Sequence, residues 1–162
     1  MKRTIRKTVT FPHPREHVWR AITDPALLGR WLMPNDFAPV AGHKFRFKSD
    51  PQPGWDGVVN SEVLEVRPLE LLRFTWRGGP LDTVVTFRLA TTGAGHTRLE
   101  FEHTGFNGAK AVLVSFILGS GWGKIFKERL PGVLDSSFES WEYETPGLAA
   151  GAVGRIVGPR RA

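Results

Sequence analysis

The sequence predicts an α+β domain in which a curved antiparallel sheet wraps around a long C-terminal helix. Residues 58–66, 71–76, 83–89 and 97–103 alternate apolar and polar side chains, the period-two pattern of strands with one buried face. Only short turns join these segments, so neighbours pair antiparallel and must lay a shared apolar face on something. After Gly105 the spacing turns helical. Trp122, Ile125, Phe126, Leu130, Val133 and Leu134 form a stripe able to cover that face. A sheet curved about one helix tends to enclose a cavity, the natural seat of a function.

Each element follows from local signals. Ile5, Val9 and Phe11 begin a strand that stops at Pro12. Pro14 suits the first turn of a helix, where its missing N–H costs nothing, and His17, Val18, Ala21 and Ile22 continue with helical spacing to Thr23. Asp24 is an N-cap with Pro25 behind it, which predicts a second short helix over 26–31, ended by Pro34 and Asn35. Phe45 and Phe47 alternate with Lys44, Arg46 and Lys48 in a further strand, and residues 54–57 turn into the meander. Arg67-Pro68, Gly78-Gly79-Pro80 and Gly93-Ala94-Gly95 separate its strands. Residues 109–118 form an apolar helix expected to break at Gly119, Gly121 and Gly123, and Pro131 should kink the helix that follows. Phe138 and Trp141 prolong its stripe. A single domain over 1–144 is expected, followed by a basic, Gly/Ala-rich tail at 145–162 that reads as mobile.

Composition removes several function classes. The 162 residues contain no Cys, which excludes disulfides, thiolate metal sites and cysteine nucleophiles. The basic N-terminus leads into alternation, not into a signal-peptide core, and the longest apolar run, 111–118, is too short to span a bilayer. The expectation is a cytoplasmic protein without a membrane partner. Net charge is +6, but Lys2, Arg3, Arg6 and Lys7 lie at one end and Arg155, Arg160 and Arg161 at the other. The body between is left at −1. A nucleic-acid groove needs cations clustered on one face of the fold, so no nucleic-acid partner is expected.

Several words stand in a telling order. Residues 14–25, Pro-Arg-Glu-His-Val-Trp-Arg-Ala-Ile-Thr-Asp-Pro, make an opening helix with a Thr-Asp-Pro turn, and Arg30-Trp31 precedes Gly42-His43. Val63-Leu64-Glu65-Val66-Arg67-Pro68 and Leu72-Arg73-Phe74-Thr75-Trp76 form a hairpin; Thr97-Arg98-Leu99-Glu100-Phe101 and Gly121-Trp122 follow. Over about residues 4–135 this order resembles the START-like, helix-grip superfamily called SRPBCC. Within it, the closest likeness is to bacterial single-domain relatives of the activator of heat-shock protein 90 ATPase. The resemblance implies the helix-grip fold and a cavity for a hydrophobic, lipid-like, polyketide-like or aromatic molecule. It also implies two alternatives: cyclase or dehydratase chemistry in that cavity, or a chaperone partner. Two features depart from the pattern, namely Gly42-His43 where Gly-Gly is expected and the unusually apolar segment 111–118.

Alternation assigns faces to the strands. Leu72, Phe74 and Trp76 share the inner face with Val85, Phe87 and Leu89, with Leu99, Phe101 and His103, and with Val9, Phe11, Phe45 and Phe47. On the same logic Asn60 and Glu62 face inward with Leu64 and Val66. The expected ligand wall is Trp31, Phe45, Phe47, Phe74, Trp76, Phe87, Phe101, His103, Trp122 and Phe126, mostly aromatic with few polar groups. His103 is the sharpest catalytic candidate, a general base with Glu62 opposite; the alternative is a His that merely satisfies a backbone carbonyl. His13, His17, His43 and His96 flank turns or helix ends and are expected to be exposed. His13 and His17 have the i, i+4 spacing of metal ligands, but the helix starts after His13 and no metalloprotease Glu follows, so neither metal nor cofactor is expected. Gly119 to Lys124 lacks the preceding strand and spacing of a phosphate loop. Residues 111–118 are expected to pack as a lid on a Gly hinge, or alternatively to form a homodimer interface. Binding of a hydrophobic small molecule ranks first, chemistry second and chaperone interaction third.

Overall fold

Local chemistry sets the two short helices. The computed structural model describes residues 1–93 and 95–138. Strand β1 (Lys2–Phe11) leads into α1 (Arg15–Thr23), with extended Pro14 at its N-cap. Helix α2 (Pro25–Trp31) follows at once, and the Asp24 carboxylate accepts from the N–H groups of Ala26 and Leu27 at 2.9 and 3.4 Å. The pair buries Val18, Ala21, Ile22, Leu28 and Trp31, and the Trp31 indole N–H donates to the carbonyl of Ala21 at 2.9 Å.

Five strands then complete one sheet: β2 (Lys44–Lys48), β3 (Val58–Arg67), β4 (Leu71–Gly78), β5 (Leu81–Thr92) and β6 (His96–Asn107). Its order is β1-β6-β5-β4-β3-β2, and each neighbouring pair is antiparallel. The inner face is a continuous aromatic layer. Phe74 lies 5.3 Å from Phe45 and 6.1 Å from Phe87 between ring centres, and Phe101 lies 5.2 Å from Phe87 and 4.9 Å from Phe126. Such edge and tilted contacts add to plain area burial.

Strand β3 corrects the expected face of Glu62. The β3–β4 register shifts between Val63 and Glu65, so one extra residue bulges and the alternation changes phase there. Val59, Ser61 and Val63 are buried before the bulge, and Val66 packs against the core after it. Asn60 and Leu64 are exposed and Glu62 is half-buried on the outer side. The inward phase of Val66 does not extend back to Glu62.

The C-terminal helix also differs from expectation. Helix α3 (Ala109–Lys124) runs unbroken through Gly119, Gly121 and Gly123, so the expected hinge is absent. Ala111, Ser115, Gly119 and Trp122 form its buried stripe, packed on β1 and β6. A Cβ at Gly119 would stand 3.9 Å from Ile5. Gly119 packs on Ile5 in this stripe, whereas Gly121 is exposed with open space beside it. A π turn (Ile125–Arg129) joins α3 to α4 (Leu130–Ser137), with the Leu130 N–H bonded to the Ile125 carbonyl. Pro131 has no N–H to give, and its ring crowds the carbonyl four residues back; the wider turn absorbs both. Phe138 caps α4 and is buried, while Trp141 and the tail expected at 145–162 lie outside the described residues.

Candidate functional site

The described residues line a partly open cavity of about 570 Å³ between α3, the β4–β5 turn and the loop before β3. Its size falls within the range of small-molecule sites. Trp55, Trp76 and Trp122 supply its aromatic wall, and Leu32, Val59, Leu81, Val114, Leu118 and Ile125 much of the rest. Ser49 and Gln52 add polar groups. Arg129 is the only charged residue among those lining it.

Glycine makes room for Trp55. Its turn is closed by backbone hydrogen bonds of 2.9 Å in both directions between Gln52 and Trp55, and its indole N–H donates to the Val58 carbonyl at 2.8 Å. A Cβ on Gly78 would lie 2.8 Å from that same carbonyl oxygen and 3.1 Å from the indole nitrogen. Any larger residue there would displace the tryptophan. Gly57 holds the loop's other end: its φ is +85°, and a Cβ would meet the Ser49 carbonyl oxygen at 2.3 Å.

Trp76 and Trp122 meet edge to face, 5.4 Å between ring centres, and a buried chain behind them fixes both. The Trp122 indole N–H donates to His103 Nδ1 at 3.1 Å. His103 Nε2 lies 2.7 Å from Thr83 Oγ1, whose hydroxyl donates to the Trp76 carbonyl at 2.8 Å. With that hydroxyl proton committed, Thr83 can only accept from the ring, so Nε2 carries the hydrogen and Nδ1 the lone pair. His103 and Thr83 are buried. Burial pushes the His103 pKa down to about 3, which keeps the ring neutral. Protonating Nδ1 would aim its hydrogen at the indole N–H.

The other expected site residues divide by depth. Of the expected wall, Trp76 and Trp122 line the cavity. Trp31, Phe45, Phe47, Phe74, Phe87, Phe101 and Phe126 are buried in the core around it, and His103 sits behind the two tryptophans. Glu62, turned outward by the β3 bulge, does not face His103, so the acid–base pair is not assembled. Wall residues not foreseen include Trp55, Leu32, Leu81 and Arg129. Trp55 was signalled by its place in a Gly/Pro-rich turn, and Arg129 by its position one turn beyond Ile125.

Two histidines expected at the surface are buried. His13 Nε2 lies 2.8 Å from Asp135 Oδ1, and the His17 ring stacks on Phe138 at 4.2 Å with 8° between planes. The end of α4 covers the start of α1, a long-range packing that local spacing does not reveal. His43 is half-buried with Nε2 2.9 Å from the Asp36 carbonyl oxygen, and His96 is exposed. No group of three or more His, Asp or Glu among the described residues is placed to hold a metal ion.

Comparison with known proteins settles the lineage. The profile of the Activator of Hsp90 ATPase homolog 1-like protein family matches residues 12–135. The chain belongs to that family. Protein MLL2253 of Mesorhizobium loti is 38% identical, with a TM-score of 0.72 over 82% of this chain and 97% of its own. DynU16, a protein of the dynemicin biosynthetic locus, is 29% identical, with a TM-score of 0.64 over 83% of this chain and 48% of its own. PFC0360w, an HSP90 activator from Plasmodium falciparum, shares the fold at 19% identity, with a TM-score of 0.64 over 81% of this chain and 95% of its own. No curated protein matches the chain in sequence. The six-stranded antiparallel sheet with its long C-terminal helix is the helix-grip fold of these relatives.

Proposed function

We propose that this member of the family binds a hydrophobic or aromatic small molecule in the cavity walled by Trp55, Trp76 and Trp122. The observation that carries the reading is the wall itself: apolar side chains, rigidly held indoles and one cation, Arg129. That pattern suits a ligand with an apolar body and an acceptor or acidic group. DynU16's place in a biosynthetic locus agrees with small-molecule handling. Acid–base chemistry lacks support, because His103 has both nitrogens engaged and Glu62 lies on the other face of the sheet.

Anilinonaphthalene sulfonate, an aromatic anion, tests this reading. It should gain fluorescence on the wild-type protein and lose part of that gain in Leu118→Trp, which narrows the cavity. Arg129→Gln should weaken binding by about the value of one charge-assisted hydrogen bond, ~1.5–3 kcal/mol. Unchanged dye binding in Leu118→Trp would place the dye elsewhere and remove the reading. Native mass spectrometry of the purified protein would then weigh any retained ligand.

A further inference from the structure

Helix α3 leaves three large apolar side chains facing outward. Leu113, Phe116 and Ile117 are 68%, 59% and 70% exposed, although the opposite stripe is buried against the sheet. The most apolar stretch of Ala109–Ser137 has a mean hydropathy of 1.3, yet only 33% of it is buried. Helical periodicity sets Lys110, Leu113, Ile117, Ser120, Lys124 and Lys127 along one ridge, with Phe116 beside it. The apolar patch therefore has lysine at both ends, and Glu128 is the only carboxylate between residues 109 and 129. On the flank, the Arg3 guanidinium of β1 lies 3.9 Å from the centre of the Phe116 ring. It is anchored there by hydrogen bonds to the carbonyl and hydroxyl oxygens of Ser115 at 2.9 and 3.1 Å.

We propose that this face docks on an anionic lipid surface, with Leu113, Phe116 and Ile117 entering the interface and Lys110, Lys124, Lys127 and Arg3 meeting the head groups. Apolar side chains bordered by cations are what such a surface recognises. A second copy of the chain is a poorer occupant. Antiparallel two-fold pairing of α3 about Ile117 would oppose Lys110 of each copy to Lys124 of the other, like charge on like. Nor does the helix cross a membrane in this fold, since Ala111, Ser115, Gly119 and Trp122 hold it to β1 and β6. Docking does not depend on what the cavity holds. One consequence does rest on the ligand reading: Val114, Ile117 and Leu118 on the same helix line the cavity, so its contents would exchange at the lipid surface.

Co-sedimentation with vesicles tests docking without any cavity ligand. The protein should pellet with phosphatidylcholine vesicles containing about one-third phosphatidylglycerol, release at high salt, and ignore pure phosphatidylcholine. The triple Leu113→Ser, Phe116→Ser, Ile117→Ser variant should lose at least about tenfold in affinity. The double Lys110→Glu, Lys124→Glu variant should lose at least roughly 25-fold, as each surface cation contributes a factor of about five and each new carboxylate adds repulsion. Thermal melts matching wild type would show that both variants fold. Equal binding to neutral vesicles, or none to anionic ones, overturns the proposal. So does a wild type that scatters light as a dimer and a triple variant that scatters as a monomer. A Leu118→Trp protein that docks normally but takes up less dye would show that docking is independent of the cavity's contents.

Discussion

Replacing His103 by Gln should change how the protein's stability responds to acid. Gln can accept from the Trp122 N–H and donate to Thr83, but it does not titrate. In the wild type, burial holds the folded pKa at about 3, against about 6.5 for an unfolded His. The folded pKa is depressed, so below 6.5 the unfolded chain binds a proton that the folded chain refuses. The stability contribution is complete above pH 6.5 and drains as pH falls towards 3, by about 1.4 kcal/mol per unit. From pH 7.5 to 4.5 the wild type should lose about 2.7 kcal/mol through this one ring, whereas His103→Gln loses none by that route. Carboxylates and the remaining histidines titrate in both proteins and cancel in the difference. Urea unfolding at the two pH values measures it. The wild type's advantage over His103→Gln at pH 7.5 should shrink, or reverse, by pH 4.5. A difference that stays constant within about 0.5 kcal/mol would refute the neutral, doubly bonded ring.

Three smaller perturbations check the frame around the site. Asp24→Ala should cost about 1 kcal/mol in urea unfolding, because two N–H groups at the start of α2 lose their acceptor. Gly57→Ala should cost at least about 2 kcal/mol, since the added Cβ combines a positive φ with a backbone clash; a neutral result would mean the loop before β3 relaxes freely. Trp122→Phe removes the donor to His103 Nδ1 while keeping an aromatic ring, and should cost about 1–3 kcal/mol for the unsatisfied nitrogen. Its loss should exceed that of Trp122→Phe made on a His103→Phe background, which leaves no acceptor to satisfy, and additive losses would contradict the chain of hydrogen bonds.

The sheet and helix were legible because their signals are periodic and local. Phe74 and Trp76 on β4, Phe87 on β5, and Phe101 and His103 on β6 are buried as alternation requires. Asp24 caps α2 as its type and place demand. What was hidden depended on contacts distant in sequence. His13 and His17 looked like surface residues until Asp135 and Phe138 closed over them. The glycines at 119, 121 and 123 looked like breaks, but α3 runs through them, held by its packing on β1, more than a hundred residues away in the chain. Aromatic residues inside a curved sheet also cannot be sorted by sequence into core and cavity wall, since both share one face. Depth along the helix axis separates Phe126 from Trp122, and only packing sets depth.

The functional weight of that missing information concentrates at one bulge. Without the extra residue between Val63 and Glu65, the phase of Val66 would run back along β3 and carry Glu62 to the inner face. The cavity side would then gain a carboxylate on the same face as a buried histidine. With the bulge, Val59, Ser61 and Val63 take the inner positions. The groups left at His103 are an indole N–H and a threonine hydroxyl, and neither ionises as an acid or base at neutral pH. The bulge thus keeps a carboxylate off the inner face, and the register sets β3 three strands from His103 on β6. Burial depresses the His103 pKa, with no anion among the described residues near enough to offset the cost of burying a charge.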